Sequence, residues 1–467
     1  MVDSISVINP ATEELIEEIP VDNSTTVVEK ANRARLVQPK WAKRPISDKI
    51  KIISQFKESL IQQVDELASI MTAETGKPIT QSKNEILATP KRIDFFIRNV
   101  AQATNSHCVY KEPQNALPRN EQLKEIISYD PLGTIANISA WNYPYFVGSN
   151  VFIPALLTGN AVLYKPSEIA TLTGLAITNL LHEAGIPENV FVPVIGTGIA
   201  GATLLEQQID GVFFTGSYET GKKIAITTAP KLIKQQLELG GKDPAYVCND
   251  IDTATAAASL AEGAFYNNGQ SCCAVERIYV HTDAYEPFLK AFIEAVNAFK
   301  IGDPTQTDTY LGPLSRKPQI NILTQQVEEA TSKGAKLHLG GLPIKRTGFY
   351  FAPTVLSEVN HEMTIMKEES FGPVIGIQKV QDDEEAIALM NDTPYGLTAA
   401  VYCASHKRAT QILEKVNSGS AYWNCCDRVS PHLPWTGRKH SGIGSTLSLL
   451  GIQAFVQPRA WHLKHSI

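Results

Sequence analysis

The chain has 467 residues, of which 43% are apolar and 19% are charged. This composition is typical of a globular protein with material for two or three domains, and it excludes a disordered chain, a collagen-like fibre and a small disulfide scaffold. The formal net charge is −6, and this mild acidity predicts neither a nucleic-acid partner nor an anionic-membrane surface, both of which need clustered positive charge.

The first third of the chain is predicted to be helical. Apolar residues recur every three or four positions over residues 47–71 and again over 91–103, which predicts two amphipathic helices. Residues 107–122 are polar and contain prolines, so we expect a loop or an arm that leaves the body of the protein.

Residues 131–164 form an uncharged run that is long enough to consider as a membrane span. Asparagines, prolines and glycines interrupt it, however, and a buried parallel sheet produces similar uncharged runs. We therefore expect a strand, a loop, a short helix and a second strand, and no membrane association.

Strand-like and helix-like segments alternate from Gly133 onward, which indicates parallel βαβ units with right-handed crossovers. The predicted strands are 134–139, 161–164, 190–195, 212–214, 245–248, 277–281, 374–380 and 398–402. The predicted helices are 171–184, 200–207, 253–267, 286–299, 318–333, 384–391 and 407–416. This rhythm predicts two α/β domains, each with its own sheet.

The cysteines are few for the length and odd in number, which favours free thiols in a reducing cytoplasm. The sequence has no CxxC motif and no Cys/His spacing that suits zinc, so we expect no metal centre. The first twenty residues are acidic, which is not expected of a signal peptide.

Two segments have residue types suited to binding a nucleotide. Residues 196–201 match GxGxxG between a predicted strand and a predicted helix, which is the context of a phosphate-binding turn, although a tight turn without function is about as common. Lys165 and Glu168 also follow a strand, and the carboxylate could accept hydrogen bonds from both hydroxyls of a ribose. A solvated turn is the alternative.

Three further residues have side chains suited to catalysis. Cys272 lies in a glycine-containing turn whose backbone NH groups could favour a reactive thiolate, although Cys272 and Cys273 could equally be buried core thiols. Glu238 precedes two glycines and would act as a base if it were buried, whereas on the surface it would have no such role. Asn142 could donate to an anion or cap a turn.

Taken in order, these motifs resemble those of the NAD(P)-dependent aldehyde dehydrogenase superfamily, and the resemblance covers nearly the whole chain. It is carried by INPATE at 8–13, TAETGKP at 72–78, PLGTI at 131–135, WNYP at 141–144, KPSE at 165–168, FTGS at 214–217, ELGGK at 238–242, GQSC at 269–272, ESFGP at 369–373 and KHSG at 439–442.

The resemblance implies an α/β fold with two parallel-sheet domains and a small β oligomerisation arm. A Rossmann-type NAD-binding domain would comprise residues 1–112 and 130–240, and a catalytic domain residues 241–440. The arm would comprise residues 113–129 and 455–467, and a homodimer or homotetramer is expected.

The resemblance also implies roles for individual residues. Cys272 matches the nucleophile, Asn142 matches the oxyanion-hole side chain that acts with the backbone NH of Cys272, and Glu238 matches the general base. Eight residues are implied to bind the cofactor: Lys165 and Glu168 at the adenosine ribose, Gly198 and Ser217 at the adenine side and pyrophosphate, Glu369 and Phe371 at the nicotinamide ribose and ring, and Ser139 and Trp141 without a more specific role.

The implied reaction is the oxidation of an aldehyde to a carboxylic acid with NAD as the cofactor. A thiohemiacetal and then a thioester would form on Cys272, and water activated by Glu238 would hydrolyse the thioester. Two alternatives stay open: a CoA-acylating enzyme, which would not need Glu238, and a non-catalytic structural protein, which would be expected to lose Cys272, Glu238 or Asn142.

The sequence departs from the family pattern at several positions. Thr446 stands where many relatives carry a glutamate proposed to relay protons, which puts that relay in doubt. Asn150 stands where many carry a tunnel tryptophan, so a wider or more polar tunnel is expected. Arg428 favours an acidic semialdehyde over betaine aldehyde, unless its side chain is tied to Asp427 or points into solvent.

Overall fold

The computed structural model describes residues 4–113 and 121–466. The strands are β1 (Ser4–Ile8), β2 (Leu15–Pro20), β3 (His107–Lys111), β4 (Glu121–Pro131), β5 (Thr134–Ile138), β6 (Ala161–Lys165), β7 (Phe191–Pro193), β8 (Gly211–Thr215), β9 (Lys234–Glu238), β10 (Asp243–Val247), β11 (Val275–His281), β12 (Lys336–Leu339), β13 (Thr354–Ser357), β14 (Val374–Val380), β15 (Thr398–Tyr402), β16 (Ser420–Trp423), β17 (Gly442–Ile443) and β18 (Val456–Ser466). The α-helices are α1 (Ser24–Ala42), α2 (Ile46–Gln62), α3 (Val64–Thr75), α4 (Ile79–Thr104), α5 (Pro144–Leu157), α6 (Thr171–Glu183), α7 (Gly198–Glu206), α8 (Tyr218–Thr228), α9 (Thr253–Phe265), α10 (Tyr285–Asn297), α11 (Lys317–Ser332), α12 (Asp383–Asn391), α13 (His406–Leu413) and α14 (Ser448–Gln453).

The first large sheet has six strands in the order β17-β9-β8-β5-β6-β7. Strands β5 to β9 are parallel, and β17 joins the edge antiparallel to β9. Alternate residues of β5 face opposite sides: Ile135 packs with α2 to α6, and Ala136 packs with α1, α7 and α8. Helices cover both faces, so all five residues of β6 are buried.

The second large sheet has seven strands in the order β12-β13-β14-β11-β10-β15-β16, and β12 is its antiparallel edge. On β10, Ala245 and Val247 pack with α9 and α10, whereas Tyr246 and the following Cys248 pack with the side that carries α11, α12 and α13. The prediction of two sheets made largely of parallel strands, each covered by helices, is confirmed.

A third sheet of three antiparallel strands joins distant parts of the chain, in the order β18-β4-β3. Strand β18 pairs with β4 along its whole length, from Val456 opposite Pro131 to Ser466 opposite Glu121. Of the loop or arm predicted over residues 107–122, the loop is wrong at both ends, where β3 and β4 lie, because pairing with other strands is not revealed by the local sequence. Residues 114–120 of the predicted arm lie outside the described residues.

The N-terminal helices also differ from their predicted bounds. The predicted helix at 47–71 is two helices that meet at Gln63, and α3 ends at Gly76, whose φ of 76° only glycine adopts readily. The sequence predicts a helix only over residues 91–103, after Pro90. In the structure, helix α4 begins at Ile79 and continues through Pro90.

The uncharged run contains β5, α5 and β6, as expected. Within residues 4–113 and 121–466, no helix combines the length and the apolar character that a membrane span requires.

Candidate active site

The candidate residues gather where the carboxyl ends of the six-stranded sheet meet the amino ends of the seven-stranded sheet. Ser139 follows β5, and Glu238 is the last residue of β9, whereas Cys272 precedes β11. Two hydrogen bonds join these segments: the Asn142 amide donates to the carbonyl oxygen of Gln270 at 3.0 Å, and the NH of Gly241 donates to Glu369 at 3.0 Å.

The loop that carries Cys272 follows α9 and has an unusual backbone. Asn267, Asn268 and Gly269 all have left-handed φ angles, of 54°, 56° and 67°, a conformation that asparagine and glycine tolerate best. The amide of Asn268 donates to two carbonyl oxygens of a neighbouring segment, at 2.8 Å each. A Cβ at Gly269 would lie 2.4 Å from the carbonyl oxygen of Gly372, so the turn requires glycine.

The two adjacent cysteines have different surroundings. Cys272 is half-buried, whereas Cys273 is buried and its Sγ donates to a carboxylate oxygen of Asp427 at 3.0 Å. The hydrogen bond with Cys272, burial and the charge of Asp427 raise the pKa of Cys273 well above its ordinary value. Cys273 is therefore held as a buried thiol, and Cys272 is the accessible sulfur of the pair.

Asp427 was not predicted to interact with this loop. It accepts hydrogen bonds from Cys273 and, at 3.4 Å, from the hydroxyl of Ser271. Burial raises the pKa of Asp427 to about 6. The sequence gives no local indication of this contact, because Asp427 follows β16, far along the chain from the cysteine loop.

Asn142 is buried, and a cation fixes the backbone around it. The Lys77 ammonium donates to the carbonyl oxygen of Asn142 at 2.6 Å and forms a buried ion pair with Glu85. The other carboxylate oxygen of Glu85 accepts from the backbone NH groups of Tyr145 and Phe146 at the start of α5, at 2.9 and 3.2 Å. This Lys77–Glu85 pair fixes Asn142 in place, and no motif in the sequence assigns it that role.

Glu238 is buried at the end of β9, so the alternative of a surface carboxylate is wrong. Its Oε1 accepts from the amide of Gln236 at 2.9 Å, and its Oε2 has no hydrogen-bond partner among the described residues. Burial raises the pKa of Glu238 well above its ordinary value, and the hydrogen bond from Gln236 opposes that shift. The carboxyl thus combines a raised pKa with one oxygen that has no partner among the described residues.

Lys165 and Glu168 lie together at the end of β6. Lys165 is buried, and its Nζ lies 3.8 Å from a carboxylate oxygen of the exposed Glu168. Burial lowers the pKa of Lys165, and Glu168 opposes that shift. Beside them, the buried hydroxyl of Ser139 has no partner within the described part of the chain. Polar groups thus remain free to bind a ligand.

Gly198 and Ser217 both lie at helix N-termini on the same edge of the sheet. Gly198 is the first residue of α7, and Ser217 caps α8 through a hydrogen bond from the NH of Thr220 at 3.4 Å. A Cβ at Gly198 would have no described heavy atom within 4 Å, so the space in front of α7 is open. Helix N-termini with free space before them suit phosphate groups.

Glu369 and Phe371 are held on the other side of the cleft. The Glu369 carboxylate accepts from Gly241, and burial, followed by the charge of Glu276, raises its pKa to about 8. Glu276 also accepts from the NH of Phe371, at 2.9 Å, and thereby holds Phe371 at a φ of 47°. The rings of Phe371 and Trp141 meet edge to face at 5.6 Å. Sequence reasoning missed Glu276.

A second buried cation lies near the cysteines. Arg92 of α4 donates to the Asn150 side chain at 3.1 Å, and its guanidinium lies 3.9 Å from the centre of the Phe146 ring. Burial lowers the pKa of Arg92 to about 10, whereas the charge of Glu85 opposes the shift. Asn150 therefore binds a cation here. By contrast, Arg428 is exposed.

Comparison with known proteins gives one family and several close relatives. Residues 2–461 match the model of the "Aldehyde dehydrogenase family". The chain is 32% identical to a succinate-semialdehyde dehydrogenase [NADP(+)] of Deinococcus radiodurans, over 97% of this chain and 93% of the relative.

Two solved structures have the same fold. The chain matches lactaldehyde dehydrogenase from Escherichia coli with a TM-score of 0.93 and 31% identity, over 98% of this chain and 95% of that one. It matches PnpE in complex with nicotinamide adenine dinucleotide with a TM-score of 0.94 and 29% identity, over 98% and 94% of the two chains.

Proposed function

Because the chain belongs to the aldehyde dehydrogenase family, whose members oxidise aldehydes with nicotinamide cofactors, we propose that it oxidises an aldehyde to the carboxylic acid with NAD. Cys272 would be the nucleophile. The observation that carries this proposal is the contrast between the two cysteines. The Asp427 carboxylate holds Cys273 as a buried thiol, whereas Cys272 is half-buried and lies two residues after Gln270, whose carbonyl oxygen accepts from the Asn142 amide.

The first half-reaction uses Cys272 and Asn142. The Cys272 thiolate adds to the carbonyl carbon, and the electron pair of the C=O bond moves to oxygen. The second amide hydrogen of Asn142 and the backbone NH of Cys272 would stabilise that oxyanion, and removal of one such donor typically costs about 10²–10³ in rate. The Lys77–Glu85 pair keeps Asn142 in place. When bound, the nicotinamide supplies the hydride acceptor.

The second half-reaction uses Glu238. Its unpaired Oε2 would accept a proton from water, the water oxygen would add to the thioester carbon, and the Cys272 thiolate would leave. A water-activating base supports this hydrolysis over acyl transfer to CoA. A carboxyl group in this position also argues against a purely structural protein, because an unpaired buried oxygen is costly without a function.

The polar groups at the sheet edge fit a dinucleotide. Ser139, Lys165 and Glu168 would hold the adenosine ribose, the N-termini at Gly198 and Ser217 would face the pyrophosphate side, and Trp141, Glu369 and Phe371 would enclose the nicotinamide riboside. These roles would explain why the Ser139 hydroxyl has no partner among the described residues and why the space before Gly198 is open. We propose NAD over NADP, because the exposed Glu168 carboxylate would repel a 2′-phosphate.

We propose that the substrate is an aldehyde that also carries a carboxylate. Arg92 is a buried cation near the Cys273 side chain, and a guanidinium can bind a carboxylate with two parallel hydrogen bonds. Arg92 replaces Arg428 as the residue proposed to bind it, because Arg428 is exposed. The same cation disfavours betaine aldehyde.

The organisation of the chain completes the proposal. We propose that residues 1–112 and 130–240 bind the cofactor, that residues 241–440 carry the catalytic cysteine, and that the arm of residues 113–129 and 455–467 joins subunits in a cytoplasmic homodimer or homotetramer. The pairing of β18 with β4 supports the composition of that arm.

The test is to incubate the protein with NAD and succinate semialdehyde, and to follow NADH and the dicarboxylic acid product. We expect both to form in equal amounts without CoA. If the product is a CoA thioester that forms only when CoA is added, the hydrolytic assignment is wrong. If no NADH forms with any aldehyde although the folded protein binds NAD, the enzymatic proposal fails.

A further inference from the structure

Two cysteines and an aspartate meet at the edge of the seven-stranded sheet that the aldehyde site does not use. Cys248 and Asp250 come just after β10, and Cys403 comes just after β15. The two strands are parallel neighbours with Val247 opposite Tyr402, so Cys248 and Cys403 occupy the next position of the same register. Their Sγ atoms and a carboxylate oxygen of Asp250 all lie within 4.8 Å of one another.

This position is the topological switch point of the sheet. The chain leaves β10 through α9 towards β11 on one side, and it leaves β15 through α13 towards β16 on the other. Helix α9 covers one face and α13 the opposite face. The two connections diverge beyond the carboxyl ends of β10 and β15, which is the position where open α/β sheets bind ligands.

The donor atoms suit zinc. We propose that Cys248, Asp250 and Cys403 form a binding site for a single Zn²⁺ ion, separate from the aldehyde site. Two thiolate sulfurs and one carboxylate oxygen are ligands that Zn²⁺ prefers in a tetrahedral arrangement, and a water molecule would complete the coordination. Both cysteines are buried, whereas Asp250 is exposed, so the ion would enter from the side of Asp250.

A guanidinium cation, which is shared with Asp383, lies beside this site. Two thiolates and a carboxylate exceed the charge of Zn²⁺ by one negative charge, and the Arg408 guanidinium lies 3.5 Å from Asp250. Arg408 is itself held by Asp383 at 2.6 Å, so it remains beside the site. Binding requires both cysteines to lose their protons to solvent.

The backbone of one ligand is fixed from both sides. The NH of Cys403 donates to the side-chain oxygen of Asn424 at 3.0 Å, and the carbonyl oxygen of Cys403 accepts from the Asn424 amide at 3.0 Å. A ligand held in place loses little entropy on binding an ion. No sequence motif reveals the site, because β11 to β14 separate its halves along the chain.

The test uses Co²⁺ as a spectroscopic probe of the whole chain, in a Cys272→Ala background that removes the accessible active-site thiol. We expect one equivalent of Co²⁺ to bind with thiolate-to-cobalt charge-transfer absorption in the near ultraviolet, and Zn²⁺ to displace it. We expect Cys248→Ser or Cys403→Ser to lose that absorption. Asp250→Asn, at an exposed position, should retain it with weaker binding. Cys108→Ser, an exposed cysteine on another sheet, is the matched control and should change nothing.

A second readout is thermal unfolding, because an ion that binds only the folded state raises the melting temperature. We expect Zn²⁺ to raise that temperature in the Cys272→Ala background and less so in Asp250→Asn. The proposal is wrong if folded Cys272→Ala protein binds no stoichiometric metal, or if Cys403→Ser keeps the full absorption. It is also wrong if Cys248 and Cys403 form a disulfide once reductant is removed and bind no cobalt after re-reduction.

Discussion

Replacing Glu238 with glutamine should separate the two half-reactions of the proposed mechanism. Glutamine has the shape of glutamate, so the change leaves no cavity, and its carbonyl oxygen can still accept the hydrogen bond that Gln236 donates at 2.9 Å. What disappears is the ionisable oxygen, Oε2, which has no other partner among the described residues. The variant therefore removes the proposed base and little else.

The expected magnitude follows from that role. A positioned general base contributes about 10²–10⁴ in rate, so steady-state turnover of Glu238→Gln should fall by that factor. Acyl-enzyme formation does not require the base, so stopped-flow fluorescence should show a burst of NADH followed by slow turnover. The matched control is Glu188→Gln, an exposed glutamate that should leave both phases unchanged.

The pH dependence gives an independent check. Burial raises the pKa of Glu238 above its ordinary range, and the base acts only when deprotonated. Steady-state turnover limited by hydrolysis should therefore rise with pH through that raised pKa in the wild type, and the residual rate of Glu238→Gln should lack this rise.

The free energy of unfolding should change with pH in the opposite direction to turnover. Between the ordinary carboxyl pKa of about 4.3 and the raised value, the folded wild type binds more protons than the unfolded chain, so its stability falls as pH rises through this window. Glu238→Gln lacks that loss and should gain stability relative to wild type over the same window, as measured by denaturant unfolding.

Two results would refute this reasoning. Wild-type turnover in Glu238→Gln would show that Glu238 is not the base. Loss of the NADH burst, in folded protein that still binds NAD, would show that Glu238 acts on the thiol in the first half-reaction.

Three further predictions concern the thiols, the cofactor and the substrate. Cys272→Ala should lower NADH formation by more than about 10³-fold, whereas Cys273→Ala should keep most of it; equal losses in steady-state assays would remove the distinction between the two thiols. Glu168→Ser should raise the kcat/KM ratio of NADP to NAD by about tenfold, and an unchanged ratio would show that Glu168 does not face the ribose. Arg92→Met should raise KM for succinate semialdehyde by about 10- to 100-fold and leave kcat for propionaldehyde near wild type, whereas Arg428→Ala should change neither; the reverse pattern would return the carboxylate contact to Arg428.

The strands of the large sheets could be predicted because their evidence is local. Strands β14 and β15 have the predicted bounds, since each begins with a run of buried residues that the local sequence reveals. Strand β3 could not be predicted from its own residues, because all five are exposed and pairing with β4 stabilises it. The division into α2 and α3 at Gln63 could not be predicted either, because the apolar periodicity continues across that residue.

The candidate site divides in the same way. The motifs that carry Cys272 and Glu238 are short, and their roles are implied only by a resemblance that covers nearly the whole chain. The residues that hold them come from elsewhere: Glu85 and Asp427 are fixed by contacts between segments distant in sequence. Such contacts leave no spacing in a single sequence, so only the structure reveals them.

Several residues with strained backbone lie around the cleft, and side-chain hydrogen bonds hold three of them. Non-glycine residues with left-handed φ cost about 1–3 kcal/mol each and persist only where their surroundings determine them. The Asn268 amide is held by two carbonyl oxygens, Phe371 by the carboxylate of Glu276, and Asp427 by the thiol of Cys273. These loops hold the cysteine turn and the paired rings of Trp141 and Phe371 at the cleft before any substrate arrives. The proposed nucleophile, Cys272, and the proposed oxyanion donor, Asn142, would benefit from such preorganisation, because less ordering would remain to be done during the reaction.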